Sequence, residues 1–145
     1  LTRLRAVLRD SRMTFDVVLI DTPPGLNVLT VVGLLAADEV LIPAQCDHLA
    51  MLGVRAIQDL ARRVRDEMGN PGLTVRGVLP TFFDGEAAYA QKTLDDLRAL
   101  VPVLQTVIPY DTHITDAPYQ GKLVLDYAPD SPGAAAYRRL AEEVG

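Results

Sequence analysis

The residues best placed to do chemistry in this 145-residue chain are acids that follow apolar runs. The first is Asp21, which closes Phe15-Asp16-Val17-Val18-Leu19-Ile20 and is followed at once by Thr22-Pro23-Pro24-Gly25. A carboxylate at the tip of a buried strand can hold a magnesium ion, often through water, beside phosphate groups. Asp21 or Thr22 can equally accept hydrogen bonds from amides of the next turn or helix. The local pattern leaves both roles open. Cys46-Asp47-His48 puts a thiol two residues from an imidazole, but no third group is at hand to orient the base. A small buried packing residue is therefore the default reading of Cys46. Asp111, His113 and Asp116 are metal-ligand types, yet one histidine in a proline-flanked loop is a weak site, and the acids read more simply as turn caps.

The elements that would position these groups alternate between strand and helix. An unbroken apolar run bounded by turn residues reads as a strand buried on both faces, so Phe15–Asp21 is expected to be a central strand of a parallel sheet. Pro23, Pro24 and Gly25 stop it. Leu1–Arg12 reads as the end of an amphipathic helix, and Leu26–Ala37 as a helix apolar nearly all round. Val40–Ala44 is a second short strand, its proline suiting a strand end. A helix over Leu49–Met68 carries Ala50, Val54, Ile57, Ala61, Val64 and Met68 on one side, and stops at Gly69-Asn70-Pro71-Gly72. A strand within Leu73–Phe83, a helix over about Ala87–Leu100 and a strand at Val103–Ile108 follow. An irregular stretch Tyr110–Gly121 leads through Leu123-Val124-Leu125 to a last helix, capped by Ser131-Pro132, with Tyr137, Leu140, Ala141 and Val144 as its buried stripe. This pattern predicts one α/β domain over residues 1–145, doubly wound, with a mostly parallel sheet flanked by helices.

Composition narrows the function classes. A 49% hydrophobic and 23% charged chain is that of an ordinary globular protein. Fourteen Lys and Arg against nineteen Asp and Glu give a net charge of −5, which offers no bulk attraction to nucleic acid or an anionic membrane. The single cysteine excludes an intrachain disulfide and fits a cytoplasmic location. No apolar run is long enough to span a bilayer.

Four separated segments together resemble the ParA/Soj branch of the deviant-Walker P-loop ATPases, which includes the related MinD proteins. They are Phe15–Gly25; Ala37-Asp38-Glu39-Val40-Leu41-Ile42-Pro43-Ala44-Gln45-Cys46-Asp47; Ile108-Pro109 with Ile114–Pro118 and Gly121-Lys122; and Ser131–Tyr137 with Leu140–Glu143. The resemblance implies a partial P-loop NTPase fold and an ATP-driven dimerisation switch. In such a switch Mg-ATP lies between two subunits, a ParB-like partner activates hydrolysis, and DNA or another cargo is partitioned or positioned. By the same resemblance Asp21 is the Walker B acid holding magnesium through water. Thr22, Pro23 and Pro24 shape the switch loop at the γ-phosphate, and Pro109 and Asp111 lie where the family touches adenine. Family members usually have Asn in place of Asp111; an amide donates and accepts, whereas a carboxylate only accepts.

Within residues 1–145 there is no G-x-x-x-x-G-K-[ST] loop and no signature lysine inside one; the only Gly-Lys is Gly121-Lys122. Without such a nest of amides a triphosphate has no cradle. Together with the first residue, Leu1, this leads to the expectation of a carboxyl-terminal portion that binds and hydrolyses little ATP alone. A parallel sheet cut short in this way is expected to expose an edge and to self-associate. Two family arginines that serve nonspecific DNA binding fall at Glu86 and His113, which weakens that property here. Arg62, Arg63 and Arg65 are interleaved with acids and read as a solvated helix face. A non-hydrolysing adaptor that keeps the fold for dimerisation or partner binding is the alternative. A MinD-like membrane helix is disfavoured by the acidic end Glu142-Glu143, and an iron–sulfur relative by the lone cysteine.

Overall fold

Two strands of the expected set form and pair. β1 (Glu39–Gln45) and β2 (Thr74–Thr81) lie side by side, joined by the 18-residue helix α3 (Ala50–Glu67), and the Thr74 N–H donates to the Asp38 carbonyl at 3.0 Å where the two strands start together. A strand–helix–strand crossover of this kind gives parallel pairing, and the chain is an α/β protein with a parallel sheet flanked by helices. The computed structural model describes residues 3–11, 15–47 and 50–145. Of the expected elements, Leu1, Thr2 and Arg12 at the ends of the first helix, His48, and Leu49 at the start of the long helix lie outside these residues. The described helices ahead of the sheet are α1 (Arg3–Ser11) and α2 (Val28–Ala36). After it come α4 (Ala88–Leu100), the short α5 (Thr112–Asp116) with a 3-10 turn at Ala117–Gln120, the single turn α6 (Val124–Tyr127), and α7 (Pro132–Val144).

The chain divides into two compact units, residues 1–42 with 52–76, and residues 43–51 with 77–145. In the first, α2 buries Thr30, Gly33, Leu34, Leu35 and Ala36, so only its carboxyl-terminal half is interior. Although the helix is apolar nearly all round, its other end is open, with Val28 and Leu29 exposed. Asn70 locks the buried half: its Nδ2 donates to the carbonyls of Leu34 and Ala37, both at 2.8 Å, and Asn70 is itself almost wholly buried. These are carbonyls a helix end leaves without partners, and a side-chain amide supplies them.

Phe15–Asp21 is not a strand. The segment has no regular secondary structure; among the described residues no chain runs beside it to accept or donate ladder bonds, and Phe15, Val17, Val18 and Leu19 are exposed. A strand is defined by its neighbour, so apolar content alone does not make one.

The second correction is Val103–Ile108. Here the chain does run parallel to β2, but only two isolated bridges form, Val78 with Val103 and Phe83 with Pro109. The Val78 N–H donates to Pro102 and the Leu104 N–H to Val78, each at 2.9 Å, and Gly77 allows this approach. A Cβ at Gly77 would stand 2.8 Å from Leu104 Cδ1 and 3.1 Å from the Pro102 carbonyl oxygen. Two residues on, the ladder needs an N–H at position 80, and Pro80 has none. The facing chain bulges through Gln105-Thr106-Val107 and returns when the Ile108 N–H reaches the Pro80 carbonyl at 2.9 Å. Glu143 on α7 takes up the two displaced amides, accepting from Gln105 N–H at 2.7 Å and Thr106 N–H at 2.8 Å.

The final helix is capped as its sequence indicates, with Ser131 Oγ accepting from the Ala134 N–H at 3.1 Å. Its buried face is Gly133, Ala134 and Ala136, however, and Tyr137 and Ala141 of the expected stripe are exposed. Small side chains here give a closely packed face that hydropathy ranks below the larger residues.

Candidate functional site

The candidate residues fall in the two compact units, four in a row (Asp21, Thr22, Pro23, Pro24) in the first and two (Pro109, Asp111) in the second. In the first, residues 20 and 22 share one side of the segment ahead of α2. A Cβ at Gly33 of α2 would lie 2.9 Å from Thr22 Cγ2 and 3.6 Å from Ile20 Cγ2, so residues 20 and 22 rest on that helix. Leu19 and Asp21 take the other side, and the Asp21 carboxylate is exposed. Pro23 and Pro24 are exposed too, and the turn ends at Gly25.

The turn is tied to α2 by two side chains the sequence reading passed over. Thr30 Oγ1 donates to the Gly25 carbonyl at 2.7 Å. Asn27 is the cap: its Oδ1 accepts from the Leu29 N–H at 2.9 Å and the Thr30 N–H at 3.2 Å. Asp21 and Thr22 therefore do not cap this helix, and the Asp21 carboxylate keeps its lone pairs toward solvent. An Asn immediately ahead of an apolar run was the signal.

In the second unit, Pro109 is half-buried and bridged to Phe83. Asp111 is committed internally. Its Oδ1 accepts from the His113 N–H at 2.9 Å and lies 2.7 Å from His113 Nδ1, while its Oδ2 accepts from the Gly133 N–H at 2.8 Å. Its side chain is only 7% exposed. Burial pushes the carboxyl up, but the N–H groups of Gly133 and His113, then the imidazole, outweigh this and hold it below the ordinary carboxylate range. The capping role expected from turn chemistry is thus the one Asp111 plays, as N-cap of α5.

The other chemical candidates lose ground. Cys46 is buried; burial, then the neighbouring Asp47, raise its thiol pKa against a smaller lowering by Arg98, which disfavours the thiolate. Among the described residues no group of three His, Cys, Asp or Glu could hold a metal ion. One exposed carboxylate still fits magnesium held through water, since that ion keeps several waters and takes its remaining ligands from phosphates. Asp84 Oδ1 accepts from the Glu86 N–H at 3.0 Å, which makes that loop a tight turn with Glu86 outward. Arg62, Arg63 and Arg65 each face a carboxylate, Asp59 at 2.6 Å, Glu67 at 3.9 Å and Asp66 at 2.8 Å. That is a solvated, charge-balanced helix face. Among the described residues no helix is long and apolar enough to cross a membrane.

A family model for an AAA domain matches residues 1–75. The chromosome-partitioning ATPase Soj of Thermus thermophilus is 43% identical over 145 residues, covering 99% of this chain and 57% of that protein. The chain belongs to the ParA/Soj family of P-loop ATPases. Within the family, the chromosome partitioning protein ParA of Caulobacter vibrioides is 39% identical over 146 residues, 98% of this chain and 54% of that one. The same fold extends to a P-loop relative, cobyrinic acid a,c-diamide synthase from Mycobacterium smegmatis with a bound ATP analog and magnesium. It matches with a TM-score of 0.79 at 35% identity, over 96% of this chain and 51% of that one. The chain spans about half the length of the curated ParA and Soj relatives it matches.

Proposed function

We propose that this chain is part of a ParA-type ATPase that dimerises with itself on binding Mg-ATP and so partitions DNA or positions another cargo. The observation that carries the reading is the 43% identity to a chromosome-partitioning ATPase across 145 residues. The exposed Asp21 carboxylate supports it, since an acid that caps nothing is free to order the water shell of a magnesium ion. In this reading Thr22, Pro23 and Pro24 form the loop at the γ-phosphate. Pro109 and the backbone beside it meet the adenine, and Asp111 serves by holding that loop, because its oxygens are already engaged. The phosphate cradle comes from a glycine-rich loop outside residues 1–145. A ParB-like protein is the activating partner. Glu86 and His113, which stand where the family carries arginines, make nonspecific DNA binding weak.

The test compares residues 1–145 with the full-length gene product by titration calorimetry, ATP turnover and light scattering. The gene product is expected to bind Mg-ATP, hydrolyse it and dimerise, with Asp21→Ala abolishing turnover. Residues 1–145 alone are expected to bind and hydrolyse little ATP. A gene product that dimerises without nucleotide and never hydrolyses it overturns the ATPase reading in favour of an adaptor. Micromolar ATP binding by residues 1–145 alone overturns the assignment of the cradle to another segment.

A further inference from the structure

The stretch from Gln105 to Asp111 is fastened to α7 at two places. At the helix's carboxyl end, Glu143 accepts from the Gln105 and Thr106 amides. At its amino end, the Gly133 amide donates to Asp111 Oδ2. Position 133 must be glycine for this approach, since a Cβ there would meet Ile114 Cδ1 at 2.7 Å and Asp111 Oδ2 at 2.9 Å. The two fastenings are matched in length. Ten helical residues from 133 to 143 span about 15 Å at the α-helical rise. The five residues from 106 to 111 can reach at most about 17 Å when fully extended. Little slack remains, so residues 107–110 cannot shift along α7 without breaking one end. Both fastenings are charge-assisted, the stronger class of hydrogen bond, and both act on backbone amides, which makes them register-setting and indifferent to the residues between.

We propose that α7 sets the position of the loop around Pro109 through these two carboxylates, making Glu143 a positioning residue for recognition of the nucleotide base. This rests on the reading above that the Pro109 loop meets the base. Glu143 touches no substrate; it acts by holding Gln105 and Thr106, and through them Ile108 and Pro109, against β2. The Pro80 carbonyl goes to the Ile108 N–H beyond the bulge, so the Gln105 and Thr106 amides take their acceptors from a side chain.

The experiment uses the full-length gene product with Glu143→Ala and the isosteric Glu143→Gln, which keeps one acceptor oxygen. The dissociation constants of ATP and GTP are measured, together with amide hydrogen exchange. Glu143→Ala is expected to speed exchange at Gln105 and Thr106 by about tenfold or more, and to shrink the ATP-over-GTP preference by about fivefold, the scale of one hydrogen bond. Glu143→Gln moves both the same way by less, and stands in should the alanine variant not fold. A loss of stability alone moves both nucleotides together and leaves their ratio unchanged. An unchanged ratio with ATP still bound overturns the positioning role while leaving the ATPase reading intact. Unchanged exchange at Gln105 and Thr106 overturns the fastening itself. A gene product that binds neither nucleotide overturns the ATPase reading, and this inference with it.

Discussion

Two stretches of this chain have nearly the same claim to be strands, yet Phe15–Asp21 stands bare while Val103–Ile108 is held. Both are runs of β-branched and aliphatic residues closed by turn chemistry. Leu19 in the first is 89% exposed, whereas Ile108 in the second is 2% exposed. The difference lies in what runs alongside. The 103–108 stretch has β2 on one side, with five backbone hydrogen bonds between residues 78–83 and 102–110, and Glu143 for the amides that β2 leaves over. Among the described residues, the 15–21 segment shows no backbone ladder partner, while Ile20 and Thr22 settle on Gly33 of α2. Apolar content sets the potential to be a strand; a neighbour with free amides and carbonyls realises it.

The largest expected effect tests that contrast directly. In the 145-residue chain, Ile108→Ala removes a fully buried side chain and is expected to cost about 2–5 kcal/mol, measured from denaturant midpoints. Leu19→Ala removes one already in water and is expected to lie within about 0.5 kcal/mol of zero. Equal costs for the two break the comparison, because they require a cover over Leu19. A large Leu19 cost in the full-length gene product alone sharpens it, by showing that the cover belongs to the rest of the polypeptide.

How much of this was legible in the sequence follows from the same contrast. Helices α3 and α4, strands β1 and β2, and the Ser131-Pro132 start of α7 are encoded in local patterns of period and capping, and they form within a residue or two of where those patterns put them. The ParA/Soj family was legible as well, in the order of four short segments. The status of Phe15–Asp21 was not, because it depends on a neighbour that no local pattern names. Nor was the role of Asn70, Glu143 or Gly133. Each makes a side chain–backbone bond to a partner 22 to 38 residues away in sequence, and no periodicity marks such a pair. Asp111 shows the intermediate case. Its cap on α5 is local and was read from turn chemistry, while its bond to Gly133 is distant and was missed.

A smaller effect probes how the held stretch depends on charge. The Asp111 carboxyl is held below its ordinary range: burial opposes ionisation, but the Gly133 and His113 N–H groups and the imidazole favour it by more. A carboxyl depressed on folding adds stability that is fully present above its unfolded pKa, about 3.9, and is lost as pH falls through its lower folded value. The second unit is therefore expected to lose part of its stability below about pH 4. Asp111→Asn, which offers one acceptor oxygen where the carboxylate offers two, is expected to destabilise the chain at neutral pH by about 1–3 kcal/mol and to remove this part of the acid dependence. Urea midpoints at pH 7 and in the acid range, for both proteins, measure it. Parallel acid profiles break the link between Asp111 and the hold on residues 105–111.

The smallest effect concerns the hydrogen-bonded tie between the turn after the bare stretch and α2. Asn27 satisfies two amides of the first turn of α2, and Thr30, held in that turn, bonds the Gly25 carbonyl that ends the Pro-Pro-Gly turn. Asn27→Ala is expected to cost about 1 kcal/mol, the usual worth of an N-cap, and Asn27→Asp to restore nearly all of it. In a chain of this size that is a fall of roughly 2–5 °C in the melting midpoint. The fraying reaches Val28–Thr30 first, loosens the Thr30–Gly25 bond next, and frees residues 21–24 last, so amide exchange should rise in that order toward Asp21. The cost stays small because Leu26, Val28 and Leu29 are already exposed and bury nothing further when the turn is intact. A loss approaching that of Ile108→Ala means the turn is part of the first unit's core, and the two stretches then differ in pairing alone, with equal anchorage.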